Sequence, residues 1–294
     1  LLKFFKDSGF KTLGVDPAKN VAEVAQNLGV ETIVDFFTED LAEKIAITHG
    51  KFNVIIANNV VAHIDNHHDL VRGIKKLLMP ERGVFVFEAP YLVDMFENLT
   101  YDTIYHEHLS YLAIRPLKKL FDQYGLDIFD VEVHEVQGRS LRVFVCRKGY
   151  QVVKKSVQNY IDLELEMGLD KIESYQKLFE RILNQRKQLR TLLVDLKLQD
   201  KRIASYGAPA KGNTMLNYCH IGTEILDYAL EDLPNKHNLF TPGMKIPIIP
   251  RGAIPPDYYL MLAWNYEKQI LEKEQEFLKN GGHFIIPVEG IRII

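Results

Sequence analysis

Phe52-Asn53-Val54-Ile55-Ile56-Ala57-Asn58 is an apolar run that ends in asparagine, and Val84-Phe85-Val86-Phe87-Glu88-Ala89-Pro90 repeats the form with an acid near its end. Between them Leu70, Val71, Ile74, Leu77 and Leu78 share one face at helical spacing. Strand, helix and strand in succession argue for a mainly parallel sheet covered by helices on both faces, whose buried strands read as near-continuous apolar runs. The pattern extends outward in both directions. Upstream, Lys11-Thr12-Leu13-Gly14-Val15-Asp16 and Thr32-Ile33-Val34-Asp35 read as strands, followed by helices through 21–28 and 41–45. Downstream, a helix through Leu117-Lys118-Lys119-Leu120-Phe121 ends at Gly125, and strands over 127–136 and 141–147 form a hairpin about Gln137-Gly138-Arg139-Ser140, where glycine permits a tight turn. The fold class is α/β.

From residue 152 to about 201 the spacing turns helical, with Tyr175, Leu178, Phe179, Ile182, Leu189, Leu192, Leu193 and Leu196 as an apolar stripe among charges. This reads as a packing helix that connects two domains. A second α/β unit follows. Arg202-Ile203-Ala204-Ser205-Tyr206-Gly207-Ala208 is a strand running into Pro209-Ala210-Lys211-Gly212-Asn213, a glycine-containing loop that opens a helix. Further strands are expected over 225–230, 245–249 and 258–263, then a charged helix to Lys279 and a last strand over 283–287. A small-residue loop with a lysine at a helix start suits either phosphate binding, through exposed N–H groups and the helix dipole, or an ordinary tight turn. Its spacing is not that of a Walker A loop.

Composition sets the limits. With 294 residues, 47% of them hydrophobic, the chain is long enough for two domains with sizeable cores. A net charge of −3, with both signs spread throughout, leaves no footprint for nucleic acid or an anionic membrane. Cys146 and Cys219, the only cysteines, lack metal-ligand spacing and fit a reducing compartment, read here as the cytosol. No apolar run approaches the roughly 18 residues that a membrane span requires.

The densest chemistry lies in Tyr105-His106-Glu107-His108, beyond the strand at 84–87, where open α/β sheets place their ligands. His-x-His spacing can bind metal, but no third ligand is evident, so no metal is assigned. His106 either satisfies hydrogen bonds or takes part in function. Asp16, at a strand end, suits ribose hydroxyls or a helix cap, and by itself does not choose between NAD and S-adenosylmethionine. Asp35-Phe36-Phe37 offers an adenine contact, and Asn58-Asn59 offers polar contacts, at the next two strand ends.

Gly14-Val15-Asp16-Pro17, Ile56-Ala57-Asn58-Asn59-Val60-Val61-Ala62-His63-Ile64, Glu88-Ala89-Pro90-Tyr91, Asp102-Thr103-Ile104-Tyr105-His106-Glu107-His108-Leu109, Ser140-Leu141-Arg142-Val143 and the Tyr206–Asn213 loop resemble the S-adenosylmethionine-dependent sugar C-methyltransferases. Those enzymes modify nucleotide-linked keto-deoxysugars. The resemblance implies a class I methyltransferase Rossmann-like domain over 1–150, a helical connector over 151–200, and a second Rossmann-like domain over 201–294 that binds the nucleotide sugar. It implies His108 as the base, Tyr105 as a donor to the keto oxygen and Glu107 as an orienting or substrate-binding group. It places S-adenosylmethionine at Asp16, Phe36, Asn58 and His63, and the sugar nucleotide, expected to be dTDP-linked, at Ser140, Arg142, Lys211 and Lys236. His63 and Arg142 also have plain readings as a packing or capping residue and a solvent-facing strand residue.

The chemistry suits these residue types. A sugar carbon becomes a nucleophile by losing a proton beside a ketone, which asks for a base near neutrality and a donor to the enolate oxygen. The family opens its sheet with a strand and a Gly-x-Gly loop, usually after a cysteine-rich zinc module, and this sequence shows neither; the expectation is an excerpt of a longer polypeptide. Arg139 stands where the family tends to have glycine. The alternatives are a nicotinamide-dependent oxidoreductase and a noncatalytic nucleotide-sugar binding protein. Oligomeric state is not legible.

Overall fold

The computed structural model describes residues 1–135, 139–252 and 255–294. The chain divides into two compact units: 1–88, 116–131 and 142–157 form the first, and 89–115, 132–141 and 158–294 the second. The segment that carries Tyr105 to His108 and most of the helical connector fall in the second unit.

In the first stretch α1 (Leu2–Asp7), β1 (Gly14–Val15), α2 (Lys19–Asn27), β2 (Thr32–Ile33), α3 (Glu39–Thr48), β3 (Val54–Asn58), α4 (His67–Leu77) and β4 (Val84–Pro90) alternate as the apolar runs require. Thr38 caps α3 by accepting from Leu41 N–H at 3.1 Å, and Asn66 caps α4 by accepting from Asp69 N–H at 3.0 Å. After α5 (Leu92–Asn98) and α6 (Ile114–Gln123), β5 (Leu126–Glu135) and β6 (Arg139–Arg147) complete a sheet ordered β3-β4-β6-β5. The turn expected at Gln137-Gly138, with Val136 before it, lies outside the described residues. β3 runs parallel to β4 with Asn58 beside Glu88, so both polar groups stand at the carboxyl end of the sheet. Phe85, Phe87 and Phe121 fill its core, with ring centroids 5.2 to 6.4 Å apart.

β1 and β2 form a separate parallel pair, and no described strand joins β1 to β3. Both groups of strands pack on one cluster, in which Leu41, Ala42, Ile45 and Leu77 meet Val15 and Ile33 from one side and Ile55 from the other. β1 is shorter than the expected 11–16 run. Its two residues are held between the Gly14 N–H to Glu31 C=O and Asp16 N–H to Ile33 C=O bonds, of 2.8 and 3.0 Å.

The second unit is built on α7 (Lys155–Glu166), which enters from the first, and α8 (Ile172–Leu198), then β7 (Ile203–Tyr206), α9 (Ala210–Cys219), β8 (Ala229–Leu230), β9 (Ile248–Ile249), β10 (Tyr258–Met261), α10 (Glu267–Lys273), α11 (Gln275–Lys279), β11 (His283–Ile286) and β12 (Arg292–Ile293). The sheet order β12-β11-β10-β7-β8-β9 puts β7 in the middle, with an antiparallel edge at β12 and parallel pairing elsewhere. Such an order makes a switch point beside β7, where ligands of α/β sheets bind. Gly207 (φ +86°) makes the turn out of β7, and a Cβ on Gly212 would stand 2.7 Å from Leu262 Cβ, so glycine lets α9 approach the sheet.

Three expectations change in detail. Only Leu178, Ile182, Gln185, Leu189, Leu193 and Leu196 of α8 are buried, and Phe179 is exposed, because a helix packed on one side buries a single narrow stripe. Of the apolar run over 225–230 only Ala229–Leu230 is strand; Ile225 and Leu226 N–H both bond to Gly222 C=O, and these two are apolar because they are buried, not because they pair. Lys245 takes a positive φ of 54°, which delays β9 to Ile248.

Candidate active site

The second unit assembles the titratable stretch. Past α5, Leu99 turns the chain in the left-handed region (φ 54°), and the buried Asp94 carboxylate anchors the exit by accepting from Asn98 Nδ2 at 2.7 Å and Thr100 Oγ1 at 3.2 Å. A 3-10 turn, Tyr101–Thr103, follows. Tyr105 to His108 then form a turn closed by His108 N–H on Tyr105 C=O at 3.0 Å. His108 Nδ1 lies 2.8 Å from Thr103 C=O, and Tyr105 Oη lies 3.2 Å from His108 Nε2. A carbonyl only accepts, so Nδ1 carries the proton and the Nε2 lone pair receives the phenol. Burial, then the fields of Glu107, Asp102 and Tyr111, push the Tyr105 phenol above its ordinary range and keep it protonated. Glu107 and His106 are exposed, with His106 Nε2 4.0 Å from the Glu107 carboxylate.

Behind this turn lies a buried polar group that the sequence reading did not single out. Asp102 is fully buried and accepts from Trp264 Nε1 at 2.7 Å, while its Oδ1 has no hydrogen-bond partner. Lys211, in the first turn of α9, holds its ammonium 3.5 Å from the centroid of the same Trp264 ring. Burial pushes the Lys211 ammonium down to about 8, against the opposing fields of Asp102 and Asp94. Desolvation raises the Asp102 carboxyl, and Lys211 and Trp264 act against it. Thr214 Oγ1 reaches Ile104 C=O at 3.4 Å, and Tyr101 Oη lies 3.4 Å from Cys219 Sγ, so α9 braces the segment at both ends. The expected phosphate contact, Lys211, therefore sits against an aromatic face and beside a buried acid.

Lys236 lines a cavity of about 400 Å³ at the carboxyl ends of the second sheet, together with Gly207, Glu231, Arg251, Tyr266 and Lys273. Its ammonium donates to Ala208 C=O and Glu231 Oε2, both at 3.1 Å. Burial tends to raise the Glu231 carboxyl, but Lys236 and the Leu233 and Ala208 amides outweigh it and hold it low. Ser140 is buried on β6 and belongs to the second unit.

In the first unit Asp16 uses one carboxylate oxygen to accept from Ala18 N–H at 2.8 Å, opening α2. Phe36 is 71% exposed just beyond β2, Asn58 is exposed at the end of β3, and His63 is partly buried in the 3-10 turn Val61–His63. Arg142 does not simply face solvent: its Nε donates to Glu88 Oε1 at 2.7 Å, an ion pair between β6 and β4. Neither that pair nor the Asp102 cluster was found from spacing. Their members lie on separate elements, and each reads alone as an ordinary strand or helix residue.

A family described as the C-methyltransferase C-terminal domain matches residues 135–289, and a methyltransferase domain matches residues 1–131. The C-methyltransferase NovU of Streptomyces niveus is 38% identical over 297 aligned positions, covering 100% of this chain and 70% of NovU. This chain belongs to the C-methyltransferase family. The C-methyltransferase is an S-adenosylmethionine-dependent enzyme with an α/β methyltransferase domain, which leaves the oxidoreductase and noncatalytic alternatives without support. Among solved structures, a SAM-dependent methyltransferase from Anabaena variabilis aligns with 50% of this chain and 72% of its own, at 14% identity and a TM-score of 0.39. The N-methyltransferase NodS of Bradyrhizobium japonicum aligns with 46% and 72%, at 12% identity and 0.33. At the strand ends of the C-methyltransferase one Asp16 carboxylate oxygen is committed to Ala18 N–H and the Phe36 ring is uncovered, residue types that suit the ribose and adenine of such a cofactor.

Proposed function

We propose that this C-methyltransferase acts on the carbon beside the ketone of a nucleoside diphosphate keto-deoxysugar, dTDP-linked, with His108 as the base. The observation that carries the reading is the His108 pairing: Nδ1 is committed to Thr103 C=O, so the basic lone pair is on Nε2, against the Tyr105 phenol. Tyr105 Oη moves its hydrogen bond from Nε2 to the keto oxygen. Nε2 then takes the proton from the adjacent carbon, whose electron pair passes into the enolate that Tyr105 stabilises. His108 becomes an imidazolium held by Thr103. S-adenosylmethionine supplies the electrophilic methyl group that the carbon takes, its sulfonium leaving as a neutral thioether. Glu107, exposed at the tip of the turn, orients the substrate. Asp16, Phe36, Asn58 and His63 hold the cofactor, and Ser140, Arg142 and Lys236 serve the sugar nucleotide. Two buried free thiols, Cys146 and Cys219, suit a cytosolic enzyme; no described helix is long and apolar enough to cross a membrane.

The test is transfer of labelled methyl from S-adenosylmethionine to a dTDP-keto-deoxysugar, with solvent deuterium exchange at the carbon beside the ketone followed in parallel. Both should occur in the native protein, and His108→Ala should lose both. Methyl transfer that survives in His108→Ala would remove His108 as the base.

A further inference from the structure

The loop Tyr206–Asn213 suits an anion by its sequence, yet its lysine ends on an indole face beside a buried carboxylate. The two elements that meet there are the first turn of α9 and the 3-10 turn Tyr101–Thr103. Asp102 is the middle residue of that turn, and the next carbonyl, that of Thr103, holds His108 Nδ1 at 2.8 Å. A continuous path thus runs from Lys211 and Trp264 through Asp102 and Thr103 to the His108 tautomer and Tyr105, all within the second unit. Asp102 has no exposure and leaves one oxygen without a hydrogen bond; its other oxygen is held by Trp264 Nε1, whose ring carries the Lys211 ammonium. An isolated buried carboxylate is costly, and a nearby cation offsets that cost.

We propose that Lys211 is a positioning residue for the methyl-transfer site: its ammonium, seated on Trp264 beside Asp102, locks the Tyr101–Thr103 turn so that Thr103 C=O keeps His108 in its Nε2-basic form. This rests on the proposed role of His108. The charged groups whose fields reach Lys211 are Asp102 and Asp94. Removing the ammonium loosens the Thr103 carbonyl, and the imidazole loses its fixed tautomer without any loss of substrate-binding groups.

Two measurements on the full chain do not depend on turnover. Trp264 is the one tryptophan of the sequence, so its emission reports the cluster directly, and because burial lowers the Lys211 ammonium to about 8, the emission is expected to titrate near that pH. Lys211→Met should abolish that titration. Nitrogen-labelled histidine spectra, with the His108 signal assigned by its loss in His108→Ala, should show the Nδ1–H form in the native protein and in Lys211→Arg, and a mixture of tautomers in Lys211→Met. In turnover, folded Lys211→Met should lose about 10- to 100-fold in kcat, because small misplacements of a catalytic group cost that much. KM for the keto-sugar nucleotide and the affinity for dTDP should stay within about twofold, and Lys211→Arg should restore most of kcat. Circular dichroism confirms that the variants fold, and Asp102→Asn, which keeps the Trp264 acceptor, supplies a second route to the same tautomer change. A tenfold loss of dTDP affinity with kcat intact would make Lys211 a phosphate contact and overturn the proposal. So would an unchanged His108 tautomer in folded Lys211→Met. If the native protein transfers no methyl to the keto-sugar, the substrate reading fails, while the tautomer and emission still decide the role of Lys211.

Discussion

The carboxylates at the strand ends of the first unit and the buried carboxylates of the second are held in different ways. In the first, Asp16 and Asp35 stand at strand ends and accept within their own turns, Asp16 from Ala18 N–H and Asp35 from Phe36 N–H, with Phe36 uncovered. In the second, Asp94, Asp102 and Glu164 are buried carboxylates. Glu164, on α7, accepts from Tyr91 Oη at 3.0 Å and from the Ile114 and Arg115 N–H groups at 2.6 and 2.9 Å, which caps α6. Asp102 reaches from its own 3-10 turn to Trp264 beyond β10. The first arrangement is local to one turn; the second ties together segments far apart in sequence and fixes their geometry.

Substitutions can break or sharpen that contrast. The largest effect belongs to His108→Ala, with methyl transfer expected to fall about a thousandfold or more, since a general base contributes on that scale; a fall of less than tenfold in the labelled-methyl assay would mean that the prebuilt turn is not the catalytic one. Next is Glu164→Ala. It strands three buried or partly buried donors, and urea unfolding should show a loss of about 3 kcal/mol, whereas Asp35→Ala in the first unit should lie within about 0.5 kcal/mol, as exposed sites do. Asp16→Ala should weaken S-adenosylhomocysteine binding about tenfold by calorimetry, equivalent to about 1.4 kcal/mol, with thermal stability nearly kept.

The smallest effect is a pH dependence. Burial raises the Asp94 carboxyl above its ordinary range, with Asn98 and Thr100 acting against it. The folded state therefore holds that proton more tightly than the unfolded chain, and the cost of the buried charge, present above the folded pKa, is relieved as pH falls toward the unfolded value. The stability of the native protein relative to Asp94→Asn should accordingly be higher at about pH 5 than at about pH 7. Asp130, in the first unit, runs the other way. Burial raises it, but Lys154, Ser156 and the Val131 amide outweigh that and lower it, so its contribution is present above the unfolded pKa and is lost as pH falls through the folded one. Equal pH slopes in Asp94→Asn and Asp130→Asn would erase the contrast.

Much of the fold was legible because strands buried on both faces must be apolar throughout and helices on one side must be apolar in a stripe. The runs at 52–58 and 84–87 appear as β3 and β4, and the stripe at 70–78 belongs to α4 and the residue after it. Where apolarity serves burial alone, as at Ile225 and Leu226, the same signal was read as strand. Phe179 shows the converse, an apolar residue at nearly the right phase that stays outside the buried stripe. In the candidate site, Tyr105 and His108 were legible because four residues of one turn hold their chemistry together. Lys211 was legible as a residue, but its surroundings were not. Asp102 and Trp264 are far from it in sequence and come to it only when α9 lies across the 3-10 turn.

The sequence by itself determined the α/β class, the order of most elements, and the turn in which a phenol and an imidazole share a few residues, because periodicity and short-range spacing are properties of the chain. Only the tertiary structure decided which nitrogen of His108 is basic, that Arg142 pairs with Glu88, and that Lys211 sits on an indole that donates to a buried acid. Those facts depend on which donor meets which acceptor once distant segments are packed, and on how much water is removed from each charge when they are.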